Sequence, residues 1–346
     1  MSPTKKPFSI TPILLVLILG LVAFILYVYF FVNPAQVIDI LSKINLAIYA
    51  GAFMSYLLYT ICSSLVWYRL LNSLSVKITK RKTFLFTWVG LFFEATVPQL
   101  GWSGEVSKTY LLAKDSNVEA GRIGASLVGQ KIFTMTLTIV ALSTGLGLVL
   151  LNYSLPLVAT LLISLVLALT ILTLVVVCYV SLKPIATKTL LNWAIKIVLF
   201  FRKSWNPQNF QAKSEELLGN FHSGIDQLKA NPKALFQPII YAVMGFVFEV
   251  SVVFLTFVAL GQPVPVDLVL IVFTLTGTLQ TVGVTIFGFP ELIMTLTFIA
   301  LHIDPAVAFS VALLTRVVNL WFRLIVSYIA LQWAGIKIIR QTMQVS

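Results

Sequence analysis

Polar and apolar positions alternate along this chain in long blocks, not at the short periods of half-buried strands or surface helices. A helix needs roughly 20 apolar residues to cross the hydrocarbon of a bilayer. Ile13–Val32, Leu46–Tyr68, Ile132–Leu151 and Leu155–Leu182 reach that length without a charge. Ala234–Leu260 is interrupted only by Glu249, and Ala306–Trp333 only by Arg316 and Arg323. The pattern predicts six full transmembrane helices.

Two further apolar stretches are broken. Thr83–Gly104 carries Glu94, Pro98, Gly101 and Gly104, and runs at once into Glu105 and Lys108. Leu268–Leu301 carries Gly277, Gln280, Gly283, Gly288, Pro290 and Glu291. Irregular backbone at membrane depth persists only where protein or a water-filled cavity satisfies it. Each stretch is therefore predicted to be a re-entrant hairpin of two half-length helices.

The loop charges fit this arrangement. Lys77, Lys80, Arg81 and Lys82 fall in one loop, and Lys183, Lys188, Lys196, Arg202, Lys203, Lys213, Lys229 and Lys233 in another. Residues 33–42, 152–154, 261–267 and 302–305 contain no Lys or Arg. Basic loops stay on the cytoplasmic side. Six crossings with both termini cytoplasmic satisfy every loop, provided neither hairpin crosses. The hairpin at 83–104 then enters from the cytoplasm and the one at 268–301 from outside.

Composition narrows the class. The chain is 59% apolar and 10% charged, against about 45–50% and about 25% in soluble domains. That excludes a water-soluble globule, and the continuous runs do not resemble the alternating strands of a membrane barrel. The net charge of +12 is accounted for by the basic loops, so no nucleic-acid partner is expected. Lys5 and Lys6 precede the first run and no small-residue cleavage site follows it, so it reads as a retained span of a multi-pass cell-membrane protein. Residues 185–231 read as an amphipathic and cytoplasmic connector.

The chemistry-bearing residues are few. Cys62 and Cys178 lie in apolar runs, and the two histidines, His222 and His302, lie outside the spans. Neither a disulfide framework, a metal site nor a cofactor is expected. There is no nucleophile elbow, P-loop or HExxH, so a non-enzymatic role is expected. No nucleotide-binding domain is expected either, which leaves an ion gradient, the membrane potential or the substrate gradient as energy source. What stands out is a set of ionisable side chains at or beside membrane depth: Glu94, Glu105, Glu249 and Glu291 with Lys108, Lys131, Arg316 and Arg323. Such groups are expensive in hydrocarbon and face cavities or partners. They are either structural ion pairs or the lining of a polar cavity.

The two broken stretches share spacing. Fifteen residues after Glu105 and Glu291 come Ala120 and Ala306, each opening a span. Lys131 follows Glu105 by 26 residues and Arg316 follows Glu291 by 25, while Glu94 and Gln280 precede them by 11. Residues 46–151 and 234–333 therefore read as inverted repeats within one membrane domain, 1–346. In secondary transporters such breaks mark the substrate site.

The segment from Pro98 through Gly101, Gly104, Glu105 and Lys108 to Leu112 resembles the P-x-x-G-x-G-E-x-x-R-x-x-L motif of the lysylphosphatidylglycerol synthase transmembrane (flippase-like) family. Gly288-Phe289-Pro290-Glu291, followed by Ala306, Arg316 and Trp321, resembles that family's second motif. The resemblance runs from the first span to Ala334. It implies a membrane domain that moves a lipid headgroup across the bilayer, in some members joined to a synthase and in others accompanied by glycosyltransferases acting on polyprenyl phosphates. Lys108 stands where the family motif has Arg, Gln130-Lys131 replaces an Arg-centred pattern, and Phe287–Pro290 lacks the full Gly-Gly. Twelve residues follow Ala334, so no synthase domain is expected and the lipid is not carried over.

The expectation is an all-α polytopic membrane protein that translocates a phospholipid or polyprenyl-phosphate headgroup. Glu105, Lys108, Lys131, Glu291, Arg316 and Arg323 would hold the headgroup, with Glu94, Glu249 and Gln280 lining the cavity. Pro98, Gly101, Gly104, Gly288 and Pro290 would form the breaks. A transporter of a soluble charged solute, or a membrane partner of a separate synthase or glycosyltransferase, stays open, as does a homo-oligomer.

Overall fold

The computed structural model describes residues 34–97, 102–116, 118–153, 155–201, 208–282 and 288–345. The predicted span Ile13–Val32 and the break residues Pro98, Gly101 and Gly283 lie outside them. Every element among the described residues is helical. The chain runs through α1 (Pro34–Ser42), α2 (Leu46–Ser73), α3 (Lys80–Thr96), α4 (Ser103–Ser116), α5 (Ala120–Asn152), α6 (Leu157–Leu182) and α7 (Pro184–Phe201). It continues through α8 (Gln208–Ala230), α9 (Phe236–Ala259), α10 (Val266–Val282), α11 (Phe289–Ala300), α12 (Pro305–Arg316) and α13 (Arg323–Val345). A 3-10 turn, Pro232–Leu235, leads into α9, and a π-helical segment, Val317–Phe322, joins α12 to α13.

Five described helices are long and apolar enough to cross a membrane: α2, α5, α6, Pro232–Ala259, and Pro305–Gly335 through the π segment. They coincide with five of the six predicted spans. Caps set several starts. Asn45 accepts from the N–H of Ala47 and Ile48 at 3.1 and 3.2 Å, and Asp304 from Ala306 and Val307 at 2.9 and 3.2 Å. Pro305 sits in a first helical turn, where its missing N–H is not needed.

Two features differ from expectation. The second arm of the first hairpin runs on to Ser116, because Glu105, Lys108, Lys114 and Asp115 end an apolar run without ending a helix. Helix α5 starts at Ala120, the residue expected to open that span, and carries Arg122 and Lys131 ahead of the uncharged run from Ile132. The π segment was not expected at all, since Val317–Phe322 contains neither Gly nor Pro.

The most extensive packing is between α2 and α9. Small residues bring them together: a Cβ on Gly245 would stand 3.2 Å from Cys62 Cβ, and Ser55 Oγ donates to the Phe248 carbonyl at 3.1 Å. Lipid tails are as apolar as Leu, so close backbone approach and interhelical hydrogen bonds carry association there.

The two broken stretches form helix pairs whose mouths open at opposite ends of α5. At the first, Lys82 Nζ lies 2.6 Å from Asp115 Oδ2 and ties the start of α3 to the end of α4. Near the far end Ser103 Oγ donates to the Phe93 carbonyl at 3.1 Å. The arms cross so tightly that a Cβ on Gly104 would stand 2.8 Å from the Gly90 carbonyl oxygen. This pair opens beside Ala120, where α5 begins. The second pair, α10 and α11, opens beside Asn152, whose side-chain amide donates to Asp267 Oδ2 at 3.3 Å. Its exit leads into α12, whose Ala306 and Phe309 pack on Val37 of α1. With 33 residues, α5 is about 50 Å long, so the mouths lie about a bilayer apart.

Each pair has its own apolar core. Trp67, Leu71, Phe86, Leu112 and Ile123 pack at the first, and Leu142, Phe257, Ile271, Phe298 and Val311 at the second. A third core, with Tyr56, Trp88, Val252, Val318 and Ala330, lies where α2, α3, α9 and α13 meet. The connector forms α7 and the 23-residue α8, which docks on the first half of α5.

Candidate functional site

The charged candidates project from seven helices toward the region between the two hairpins. In the first hairpin the Gly90–Gly104 crossing lays the stem of Lys108 directly against Gly90. That course carries Lys108 Nζ to 5.7 Å from the Trp67 ring centroid. Lys131, on α5, holds its Nζ 5.7 Å from the ring of Trp102. An aromatic face attracts a cation without neutralising it. Lys108 lies within electrostatic reach of Glu105, Glu94 and Lys131. Glu105 Oε2 is buried and has no hydrogen-bond partner among the described residues.

The second hairpin is built differently. Gly288, at φ 95°, turns the chain into α11, and Pro290 and Glu291 occupy its first turn. A carboxylate there is favoured by the helix dipole. Glu291 Oε1 lies 2.8 Å from Arg316 Nε, with side chains 8% and 10% exposed. The Arg316 Nε–H does not point along that line, so the contact is a close ion pair and not a formal hydrogen bond; Glu291 Oε2 also lacks a partner among the described residues.

Between these halves lies a third group. Arg323 and the Tyr56 hydroxyl lie within electrostatic reach of one another. Glu94, Glu249, Tyr59 and Arg323 are all within electrostatic reach of one another. Glu94 also reaches Lys108, and Arg323 reaches Arg316. One connected series thus runs from Lys131 through Lys108, Glu105, Glu94, Glu249 and Arg323 to Arg316 and Glu291, and it brings together all eight charged residues named from the sequence. Gln280 lies half-buried on α10, and no described contact joins it to them. Gly104, Gly288 and Pro290 stand at the crossings and turns already described.

Sequence reasoning missed four groups here. Tyr56 and Tyr59 face the acidic part from α2, Trp102 and Trp67 support the lysines, and Asn319 Oδ1 is buried without a partner among the described residues. The π segment that carries Asn319 lies between Arg316 and Arg323; such segments recur at functional sites. The tyrosines, three residues apart on one helical face, gave a legible signal; the π segment gave none. Buried polar atoms are seldom left unpaired. Glu105 Oε2, Glu291 Oε2, Asn319 Oδ1 and Arg323 Nε are all unpaired around this one series. The arrangement suits a polar, charged guest. Among the described residues no group of three His, Cys, Asp or Glu could hold a metal ion.

A sequence profile described as the lysylphosphatidylglycerol synthase TM region matches residues 17–327. The chain belongs to that family. It is therefore a membrane protein, as its five long apolar helices require. It is 24% identical to a UPF0104 membrane protein of Methanocaldococcus jannaschii, across 89% of this chain and 91% of that one. A UPF0104 membrane protein of Methanothermobacter thermautotrophicus is 21% identical, across 95% and 97% of the two chains. One of Pyrococcus horikoshii is 20% identical, across 89% and 92%. No solved structure matches the chain.

Proposed function

We propose that this membrane protein is a lipid flippase or scramblase that passes a phosphate-bearing headgroup through the charged region between the two hairpins. The observation that carries the reading is the connected series of eight charges with unpaired buried atoms around it. Four cations and four carboxylates contributed by the two hairpins and the helices around them suit a headgroup with a phosphate and further polar groups better than a simple ion. Lys108, Lys131, Arg316 and Arg323 would receive the phosphate, and Arg does so with a planar fork of donors.

An inverted repeat underlies this reading. The helix contacts map onto themselves when 46–151 is exchanged with 234–333. Helix α3 packs on α13, and its counterpart α10 packs on α5; α4 packs on α5, and α11 on α12. The corresponding first helices, α2 and α9, pack on each other. With the basic loops inside, the first hairpin opens to the cytoplasm and the second to the exterior, and both termini are cytoplasmic.

The test is dithionite quenching of fluorescent phospholipid and polyprenyl-phosphate analogues in proteoliposomes. Quenching beyond the half accessible in empty vesicles, diminished in Lys131→Gln and Glu105→Gln protein of unchanged fold, is the expected result. Quenching that stops at half for every lipid sinks the proposal.

A further inference from the structure

We infer that the angle between α6 and α7 is a binding site for one anionic phospholipid, apart from the region between the hairpins. This lipid is resident and is not the one translocated.

The angle follows from the sequence. Helix α6 ends at Leu182, because Pro184 lacks the N–H that a continued helix needs and fits the first turn of α7 instead. From that first turn, Thr187 Oγ1 donates back to the Val180 carbonyl at 2.7 Å. In a straight helix, residues seven positions apart stand about 10 Å apart, so the chain bends sharply between them. Thr187 Oγ1 also lies 3.0 Å from His222 Nε2 of α8, and Ile195, two turns on, is buried. One side of α7 is thus held against the protein.

The inside of the bend is open. Tyr179, Val180 and Lys183 at the end of α6, with Ala186, Leu190 and Trp193 along α7, line a groove of about 630 Å³. Its floor is apolar and matches an acyl chain. Trp193 and Tyr179 are 64% and 60% exposed, and such rings, apolar with one polar edge, settle at the headgroup level of a bilayer. One and two turns back along α6, Val176, Val175 and Leu172 are exposed. Those residues belong to a membrane span, so the groove is continuous with a surface that lipid covers. Its occupant is therefore a lipid and not a water-soluble ligand.

Charge selects which lipid. Lys183 stands in the groove wall, exposed, and Lys188 and Lys196 are exposed along α7. None of the three joins an ion pair among the described residues. The sequence contains no Asp or Glu between Glu119 and Glu215. Helix α8, which packs on α7, carries Glu215, Glu216 and Asp226, and Asp226 lies 3.4 Å from Lys229 of its own helix. A lipid whose phosphodiester meets Lys183 while its chain lies over Val180 and Leu190 satisfies both halves of the groove. A zwitterionic headgroup brings an ammonium that finds no carboxylate on the groove wall.

The experiment places the full chain in phosphatidylcholine nanodiscs. A minor fraction of the lipid is either phosphatidylglycerol or phosphatidylcholine with brominated chains, which quench indole on contact. The Trp193 signal is the difference between otherwise identical proteins with and without Trp193→Phe. Each lysine at a membrane surface favours an anionic lipid about fivefold. Brominated phosphatidylglycerol should therefore quench Trp193 at a severalfold lower mole fraction than brominated phosphatidylcholine. Lys183→Gln should cut that preference about fivefold, and Lys77→Gln, the same charge change in the loop between α2 and α3, should leave it intact. All three side chains are exposed, so the variants keep the fold.

Equal quenching by the two lipids overturns the inference, since bulk lipid then fills the groove without selection. Absence of quenching by either also overturns it, because the groove is then covered by protein. So does a preference that falls equally in Lys183→Gln and Lys77→Gln, which reports net charge and not a site. The measurement needs no transfer between leaflets, so its failure leaves the translocation reading standing. Failure of that reading in the dithionite assay leaves this site standing.

Discussion

The two hairpins occupy matching places in the chain and are built to opposite electrostatic designs. In the second, Glu291 is buried against Arg316 at 2.8 Å, under a core that contains Met294 and Phe298. In the first, Glu105 and Lys108 are only half-buried, and Trp102 and Tyr110 are exposed beside them. Its Lys108, and Lys131 of the adjoining α5, rest on indole rings, which leaves their charge available. The difference teaches that a shared Gly/Pro-then-Glu signature does not fix what the glutamate does. One hairpin spends its charges internally and the other presents them, a division suited to a static wall facing a receiving surface.

The sharpest way to break the comparison is to remove one cation from each side. Arg316→Ala leaves Glu291 charged, buried and alone. Losing one partner of a buried pair typically costs about 3–5 kcal/mol, so the variant should show a large loss of thermal stability in detergent, while Glu291→Gln/Arg316→Gln recovers much of it. Lys131→Ala breaks only a cation–π contact, worth about 0.5–1 kcal/mol at an accessible site. It should melt near the wild type yet lose most lipid equilibration. Equal destabilisation by the two changes would show that both hairpins use their charges structurally.

A smaller effect tests whether the first hairpin depends on backbone contact where the second depends on charge. Gly104→Val adds side chain 2.8 Å from the Gly90 carbonyl. Overpacking of this kind costs about 1–3 kcal/mol and should pry α3 from α4. Gly147→Ala, on α5 with open space around it, should be neutral or slightly stabilising, as Ala is the better helix former. Gly288→Ala strains the turn into α11 at φ 95° by about 1–2 kcal/mol, and its thermal shift should fall within that of Gly104→Val.

Much of this was legible in the sequence, for physical reasons that also explain the failures. Long uncharged runs must be helical in lipid, so five spans and two broken stretches could be read from hydropathy and Gly/Pro alone. The eight charged residues stood out because membrane depth makes them costly. Which of them pair was not legible, because Glu105 and Glu291 both follow a Gly/Pro break and nothing beside either names its partner. Their fates are set by Trp67, Trp102 and Arg316, which lie 25 or more positions away or on the hairpin's own turn. The π segment was invisible because Val317–Phe322 suits an α-helix equally well. Tyr49 donates to the Leu314 carbonyl at 2.8 Å, one turn before that segment, and only the tertiary structure brings the two together.

The smallest effect concerns the mouth of the first hairpin. Lys82 and Asp115 are 2.6 Å apart, with the lysine 30% exposed and the aspartate 3%. Exposed pairs contribute about 0–1 kcal/mol, but here the aspartate is buried, so the two partners are not equivalent. Lys82→Ala leaves a buried charge, whereas Asp115→Asn leaves a lysine free to reach water. Lys82→Ala should therefore lower the melting temperature more than Asp115→Asn does. It should also speed proteolytic cleavage after Lys114, at the freed end of α4, with little change at α11. If both variants behave alike, Asp115 is better solvated than its burial indicates. The first hairpin would then be held by the Gly90–Gly104 crossing alone, and its contrast with the charge-locked second hairpin would be sharper.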